Sequence, residues 1–193
     1  MIATVLNTQF DAVIDFIHHE ITPLCPWPHL SEALHYYQSL RRHDEALGFL
    51  CFPTLVHHAV EGEIATAVPL NASWLFFQIA SQLFDDIQDG DVASTSWHSD
   101  WSMPVRLNVG LGAIFAAKIC LSKLETSRET LTEIMHLLAQ AGLLATHAQA
   151  TEITKPDLHG YFQNVIQKAG LLFGAMAQAA ARLHTLDAAI IAA

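Results

Sequence analysis

The stretch that decides the fold is residues 70–91, which have the sequence LNASWLFFQIASQLFDDIQDGD. Apolar side chains dominate it as far as Ile87, and neither proline nor glycine interrupts it before Gly90. Proline and glycine disfavour helix interiors, so this stretch is free to be helical. Its apolar residues cover most helix faces, which is typical of a central helix in a bundle. We therefore predict a buried helix over about residues 70–88 that ends in an acidic cluster.

The composition of the rest of the chain favours a soluble, all-α fold. Hydrophobic residues make up 52% of the 193 residues and charged residues 15%, and long stretches lack proline and glycine. Alanine, leucine and glutamine dominate instead of the β-branched and aromatic runs that strands need. The length suits one domain with a sizeable core. We predict a single helical domain over residues 1–193.

Prolines and capping residues predict where the first helices begin and end. Residues 4–22 should form the first helix, because three prolines within residues 23–28 break any helix that reaches them. Ser31 is predicted to cap the second helix. A further helix should begin near Pro53, after Gly48.

Three more boundaries are predicted in the second half of the chain. Thr126 or Ser127 should cap a long helix. The spacing of Thr154 and Asp157 is typical of another helix start. Residues 186–193 have the composition of one more helix, which no cap or polar tail closes, so we expect a chain that ends early relative to its fold.

Charge and cysteine usage exclude several classes of protein. The net charge is -10, so binding to nucleic acid through phosphate contacts is not expected. The three cysteines are scattered, which argues against a disulfide framework and for a reducing, cytoplasmic location. The N-terminus lacks the features of a signal peptide. The most apolar run, residues 109–117, stops at Lys118, so no transmembrane segment is expected.

The acidic cluster that ends the central helix is the candidate functional site. Asp85 and Asp89 are four residues apart, which places their carboxylates on one helix face, with Asp86 beside them. Like charges in this arrangement repel, and a hard cation such as Mg²⁺ would stabilise them. The site would then have a polar rim for Mg²⁺-diphosphate and an apolar shaft for a hydrocarbon. The alternative is a solvated acidic helix end, which the helix macrodipole disfavours.

Three segments resemble those of the trans-isoprenyl diphosphate synthase, or polyprenyl synthetase, family. Residues 81–89, SQLFDDIQD, resemble its first aspartate-rich motif. Residues 149–153, QATEI, resemble its Gln-x-x-Asp segment with Glu in place of Asp, and residues 167–173, QKAGLLF, resemble its Lys-containing segment. The order and spacing of the three agree over about residues 40–185. The resemblance implies an isoprenoid-synthase-type helical bundle around a central cavity.

The resemblance also implies a metal site and a reaction. Asp85, Asp86 and Asp89 would bind Mg²⁺ and, through it, the diphosphate of an allylic prenyl substrate. Lys168 would contact that diphosphate, which makes these four the candidate catalytic residues. The metal would stabilise the departing diphosphate, and isopentenyl diphosphate would attack the allylic cation.

Further residues are implied to bind the substrate. Gln149 and Lys168 lie in family-like segments and are candidate substrate-binding residues. Ala80 and Ser81 precede the acidic cluster, where bulky residues shorten the product in the family, so small ones suggest an open tunnel. Lys168 could instead extend along an apolar surface without a role in binding.

The chain departs from the family pattern in three places. Residues 48–53, GFLCFP, stand where the family has Gly-Lys-Arg-x-Arg-Pro, so the cations that hold isopentenyl diphosphate are missing. Residues 93–96 offer no arginine pair after the aspartates. The second aspartate-rich motif would fall beyond residue 193, which makes this an apparently C-terminally incomplete member. Binding of isopentenyl diphosphate is therefore in doubt.

Three hypotheses remain open. The chain is a Mg²⁺-dependent prenyltransferase, or it ionises an allylic diphosphate without a second one, as a terpene cyclase does. Alternatively, it is a non-catalytic subunit that regulates a catalytic partner through helix pairing. A homodimer or heterodimer is expected, because the family commonly dimerises and the low charge content suits a buried interface.

Several histidines and tryptophans have simpler interpretations. The pairs His18-His19 and His57-His58 could bind a metal, but no second cluster supports them, so surface or interface roles are predicted. Trp97 and Trp101 flank the segment after the aspartates. They could form a lid, and packing is the preferred role.

Overall fold

A computed structural model describes residues 2–41, 44–90, 96–151 and 157–184. Within these ranges the chain forms helices, turns and short loops but no strand, which confirms the all-α prediction. The described residues include a 3-10 turn, Ile64–Ala67, and a π-helical turn, Ile166–Gly170. The helices are α1 (Ile2–Glu20), α2 (Pro28–Leu40), α3 (Asp44–Leu50), α4 (Phe52–Ala59), α5 (Val68–Asp89), α6 (Met103–Leu121), α7 (Arg128–Ala150), α8 (Leu158–Val165) and α9 (Leu171–Arg182).

Local capping explains most of the helix boundaries. Ser127 Oγ accepts the Thr130 N–H at 3.0 Å and caps α7, as predicted. Asp157 Oδ1 accepts the Gly160 N–H at 2.7 Å, so Asp157 itself is the N-cap of α8. The predicted starting residue Thr154 lies outside the described residues, as do residues 186–193.

The predicted cap at Ser31 is wrong. Helix α2 begins three residues earlier, at Pro28, and Trp27 is its N-cap. Proline favours the first helical position because its fixed φ suits the helix and its missing N–H would have no partner there. Ser31 therefore lies inside α2, where its hydroxyl donates to the Trp27 carbonyl at 3.2 Å.

Contacts divide the chain into two compact units. The first unit comprises Met1–Leu55 and Ile64–Leu124, and the second comprises Val56–Glu63 and Glu125–Ala193. Each is described below by itself. The single helical domain over residues 1–193 stays a prediction.

Helix α5 forms the centre of the first unit, as its apolar sequence predicts. It packs against α1 and α6, and Phe76, Ile79 and Leu83 are fully buried on it. Burial of each such side chain stabilises the fold by about 1.5–3 kcal/mol. The buried Asn71 near the start of α5 donates to the Leu50 carbonyl at 2.9 Å, which satisfies its polar group inside the core.

The second unit is built around α7, which packs against α9 and the π-helical turn. Its fully buried large side chains include Ile134 and Met176. His57 also lies inside this unit, and its Nδ1 is 2.9 Å from the Ala180 carbonyl oxygen.

The surface interpretation of His57 is therefore wrong. It failed because a contact between residues so far apart in sequence leaves no local signal. His58, the next residue, is exposed, since adjacent residues on a helix point to different faces. His18 and His19 are exposed as predicted.

Among the residues that the structure describes, two helices are long and apolar enough to cross a membrane. They are Ile64–Asp89, with a mean hydropathy of 1.2 over its most apolar window, and Met103–Leu121, with 1.4. The apolar run at residues 109–117 lies within the second of these helices. This is weak evidence for a membrane span, because core helices of soluble proteins meet the same criteria, and α5 is such a core helix.

Candidate functional site

The acidic cluster lies at the C-terminal end of α5, in the first unit. Gly90 terminates the helix with φ 64°, a left-handed conformation that glycine adopts without strain. Asp85 and Asp89 are exposed and lie one helical turn apart on the same face, while Asp86 is only partly exposed. Ser81, one turn before Asp85, is exposed on that face as well. The core of the first unit thus presents two carboxylates to solvent.

Asp86 is engaged by a residue that the sequence analysis missed. His98 Nε2 lies 2.7 Å from Asp86 Oδ2. The His98 side chain is 0% exposed, and that of Asp86 is 25% exposed. Because an ionised carboxylate can only accept, Nε2 carries the hydrogen and donates it. His98 therefore reaches the carboxylate from the interior of the unit.

His98 belongs to a short segment, residues 96–101, which we call the aromatic turn. Trp97 stacks on Tyr36 of α2 with ring centroids 5.3 Å apart, and it meets Trp101 edge-on at 5.1 Å. Trp101 Nε1 donates to Glu32 of α2 at 3.2 Å. These contacts confirm packing as the role of the two tryptophans.

Arg106 of α6 fixes the backbone of the aromatic turn. Its guanidinium donates from Nε to the His98 carbonyl at 3.3 Å and from Nη2 to the Ser99 carbonyl at 3.0 Å. The planar guanidinium has several donors in a rigid arrangement, so two bonds to consecutive carbonyls restrict the turn strongly. His98 is thus held at its backbone as well as at its ring.

A second hydrogen bond supports α5 one turn before Asp86. Tyr37 Oη of α2 donates to Gln82 Oε1 at 3.0 Å. Burial raises the pKa of Tyr37 above its usual value, and the neighbouring Tyr36 and Asp86 raise it further. The Tyr37 hydroxyl therefore stays protonated and remains a donor. The acidic end of α5 is positioned by polar contacts from α2 and from the aromatic turn.

The two small residues before the cluster have different environments. Ala80 is buried in the core of the first unit, whereas Ser81 is exposed. Of the two, only Ser81 shares a face with Asp85.

Lys168 and Gln149 lie in the second unit. Lys168 is in the π-helical turn, and Gln149 is in the last turn of α7; both are partly buried and each interacts with other groups. Asn164 Nδ2 donates to the Ala148 carbonyl at 3.1 Å, which ties α8 to the end of α7. Helical turns of the π type occur frequently at functional sites. No local pattern in the sequence predicts this one.

The side chains at the acidic cluster fit Mg²⁺ only if a phosphate completes the site. Among the residues that the structure describes, no three His, Cys, Asp or Glu side chains are grouped closely enough to hold a metal ion. Mg²⁺ usually takes one or two carboxylates and completes its shell with water and phosphate oxygens. Asp85 and Asp89 supply the oxygen ligands that such an ion needs.

Comparison with known proteins identifies the family. The family model described as polyprenyl synthetase matches residues 33–193. The chain belongs to the polyprenyl synthetase family. This confirms the resemblance and supports a prenyltransferase-like role in isoprenoid biosynthesis, in a family that generally depends on Mg²⁺ and binds prenyl diphosphates. No curated protein and no solved structure matches the chain significantly.

In this chain an aromatic cluster fills the position of the missing cations. Trp74 of α5 donates from Nε1 to the Phe49 carbonyl at 2.9 Å, and its ring contacts those of Phe49 and Phe52 at centroid distances of 5.8 and 5.7 Å. Leu50 and Cys51 between them are fully buried. The segment therefore serves the core of the first unit and offers no cation to a diphosphate.

Proposed function

We propose that this member of the polyprenyl synthetase family binds an allylic prenyl diphosphate through Mg²⁺ at the acidic end of α5. One observation carries the proposal: Asp85 and Asp89 are exposed, one turn apart, at the end of a buried apolar helix. When bound, Mg²⁺ would neutralise charge on the departing diphosphate. Asp85 and Asp89 would hold the ion, and Asp86 would supply a third carboxylate beside them.

The prenyl chain is proposed to run past Ser81. This residue shares the face of Asp85, and its small side chain leaves room there. Ala80 is proposed to shape the wall behind it, from the packed core. A bulky residue at position 81 should therefore shorten the longest substrate or product that the protein accepts.

The proposal for the second unit rests on its own residues and on the family-like segments. Lys168, in the π-helical turn, would bind a phosphate oxygen as a point charge, and Gln149 would donate to another. Lys168→Met should raise the KM for the allylic substrate. The exposed Lys118 of α6 provides a matched Lys→Met control, which should leave the KM unchanged.

A reaction without isopentenyl diphosphate is the second candidate. The aromatic cluster of Phe49, Phe52 and Trp74 favours it, because it stands where the family has cations. Release of diphosphate without chain elongation would then yield a cyclised or hydrolysed product.

We also propose that the protein works as a dimer in the cytoplasm. On α6 the exposed apolar residues Met103, Leu107, Leu111 and Phe115 recur every four residues, which forms a stripe suited to another helix. All three cysteines are free thiols, which fits a reducing compartment. Light scattering should show a dimer, and Phe115→Lys should shift it toward monomer.

The experiment that tests the function measures diphosphate release with geranyl, farnesyl or geranylgeranyl diphosphate and Mg²⁺. Each substrate is assayed with and without isopentenyl diphosphate, and EDTA provides a metal-free control. Asp85→Asn should lower the rate by about 100-fold or more. Asp15→Asn, an exposed change on α1, should leave it unchanged.

Each outcome of this assay points to a different function. Longer products that require isopentenyl diphosphate would establish a prenyltransferase. Release without elongation would establish the second candidate. Absence of Mg²⁺-dependent release by the wild-type protein would refute both and favour a non-catalytic subunit that pairs with a catalytic partner.

A further inference from the structure

We propose that His98 is the positioning residue of Asp86, and that it orients this carboxylate for Mg²⁺. The inference rests on the proposed function, since it assumes that the acidic end of α5 holds Mg²⁺. His98 would not touch the metal or the substrate. It would act through its hydrogen bond to Asp86.

His98 and Asp86 have the geometry of a residue that hydrogen-bonds a metal ligand without contacting the metal. His98 Nε2 donates to Asp86 Oδ2 at 2.7 Å, a short distance that is typical of hydrogen bonds to ionised acceptors. Carboxylates that bind metals are commonly hydrogen-bonded by a residue further from the ion, which fixes their orientation. His98 is fully buried and Asp86 is partly exposed, so the bond holds the Asp86 carboxylate from inside the unit.

The His98 ring has little freedom to leave this position. The ring of Trp97 meets it edge-on with centroids 4.7 Å apart, and the ring of Trp101 lies 6.1 Å away. Arg106 holds the His98 carbonyl. A hydrogen bond from a group that is already fixed orients its acceptor better than one from a mobile side chain.

The imidazole of His98 carries a cost that an apolar ring in the same place would not carry. Its Nδ1 is buried and has no hydrogen-bond partner among the atoms that the structure describes. A buried polar atom without a partner destabilises the folded state, and such atoms call for an explanation. An apolar ring would pack between Trp97 and Trp101 without this cost. What the imidazole adds is the Nε2–H donor to Asp86.

Two amide variants of His98, which differ in side-chain length, test the proposal. Glutamine at position 98 can place its amide N–H near the present Nε2 and reach Asp86, whereas asparagine is one methylene shorter and cannot. Both replace the ring by an amide, so they disturb the packing to a similar degree. Asp100→Asn is the control, because it changes an exposed side chain of the same aromatic turn and leaves the rings around His98 in place.

The main readout is metal binding without turnover. Mn²⁺ replaces Mg²⁺ as a paramagnetic probe, and its affinity is measured by electron paramagnetic resonance in the presence of inorganic pyrophosphate. We expect His98→Asn to weaken Mn²⁺ binding by about 10–100-fold, His98→Gln to restore most of it, and Asp100→Asn to leave it near the wild-type value. In the assay of diphosphate release, His98→Asn should raise the Mg²⁺ concentration needed for half-maximal rate more than it lowers kcat.

Nuclear magnetic resonance of protein with ¹⁵N-labelled histidine tests the pair itself. The proton on His98 Nε2 should appear far downfield in the wild-type protein and shift in Asp86→Asn. If this signal behaves as expected but Mn²⁺ binding is equal in the asparagine and glutamine variants, the pair is structural and the proposal is overturned. Tighter Mn²⁺ binding by His98→Asn would also overturn it, because His98 would then compete with the metal for Asp86.

The same measurements separate this inference from the proposed function. If the wild-type protein binds Mn²⁺ with pyrophosphate and releases diphosphate, while position 98 has no effect, only the role of His98 fails. If the wild-type protein does neither, the proposed function fails and the inference fails with it.

Discussion

The two compact units bury different kinds of side chain. The first unit encloses large ones completely, among them Trp74, Phe10 and Phe76. The second unit encloses Ile134 and Met176 but leaves most of the large apolar residues of α8 exposed, including Phe162. The candidate metal carboxylates therefore stand on a densely packed helix, whereas Lys168 stands on a π-helical turn in a unit whose core has fewer large side chains. We expect the first unit to be the more stable of the two.

The largest expected contrast is in the rates at which buried and exposed cysteines are alkylated. Burial raises the pKa of Cys51 and of Cys120 to about 12, so few of these thiols are ionised at pH 8, while Cys25 is exposed. An alkylating reagent should modify the two buried thiols at least about 1000-fold more slowly than an ordinary exposed thiol. Mass spectrometry after timed quenching measures all three rates in one sample.

The same labelling, carried out in denaturant, tests whether the first unit is more stable than the second. At moderate denaturant, α7–α9 should lose protection from hydrogen exchange while Cys51 and Cys120 remain unmodified. If Cys51 and Cys120 become reactive at the same denaturant concentration at which α7–α9 lose protection, the two units unfold together. The difference between their cores would then have no consequence for stability.

A matched pair of Phe→Ala changes should give the next largest effect. Phe76 of α5 is 0% exposed and Phe162 of α8 is 54% exposed. Phe76→Ala should lower the free energy of unfolding by about 3–5 kcal/mol, because it leaves a cavity in the core. Phe162→Ala should change it by no more than about 0.5 kcal/mol. Denaturant unfolding followed by circular dichroism measures both, and similar losses would mean that another surface covers Phe162 in solution.

Two Gly→Ala changes should shift the stability of the protein in opposite directions. A Cβ on Gly112 of α6 would lie 2.6 Å from the Trp27 ring, whereas a Cβ on Gly142 of α7 would have no atom within 4 Å. Gly112→Ala should destabilise the protein by about 1–3 kcal/mol, because the indole has to shift. Gly142→Ala should stabilise it by about 0.4–1 kcal/mol through the better helix propensity of alanine. A gain at both positions, measured as shifts in Tm, would mean that α6 is not closely packed on Trp27.

The difference between the units also shows what a sequence can predict here. The central helix was placed at residues 70–88 and spans Val68–Asp89, because an uninterrupted apolar run is a local signal. The cap at Ser127 and the shared face of Asp85 and Asp89 are local as well. Among the local predictions that fall on described residues, the cap at Ser31 is wrong, because Pro28 begins the helix earlier.

Contacts between distant residues could not be predicted. His98 reaches Asp86 only because the aromatic turn packs on α2 and α6, and no spacing rule connects these two positions. His57 is buried against Ala180, 123 residues away. Half of the candidate site could thus be found from the spacing of the aspartates. The hydrogen bond from His98 to Asp86 could be found only in the tertiary structure. The local sequence indicates no more than a histidine that lies between two tryptophans.

The smallest expected effect is a pH-dependent change in the free energy of unfolding, which comes from an ion pair within the first unit. Lys123, just after α6, donates a hydrogen bond to Glu20 at the end of α1, and this bond is the main reason why the pKa of Glu20 lies below its usual value. A carboxyl group with a lowered pKa in the folded state stabilises that state above its unfolded-state pKa, and this stabilisation disappears as the pH falls through the folded-state pKa. Glu20→Gln should therefore be slightly less stable than the wild type at pH 7, and the difference should vanish under acidic conditions. Lys123→Met should give the same pattern, and high salt should reduce the effect of both because the pair is partly exposed. A difference in unfolding free energy that persists at low pH would show that the two side chains act through packing and not through their charges.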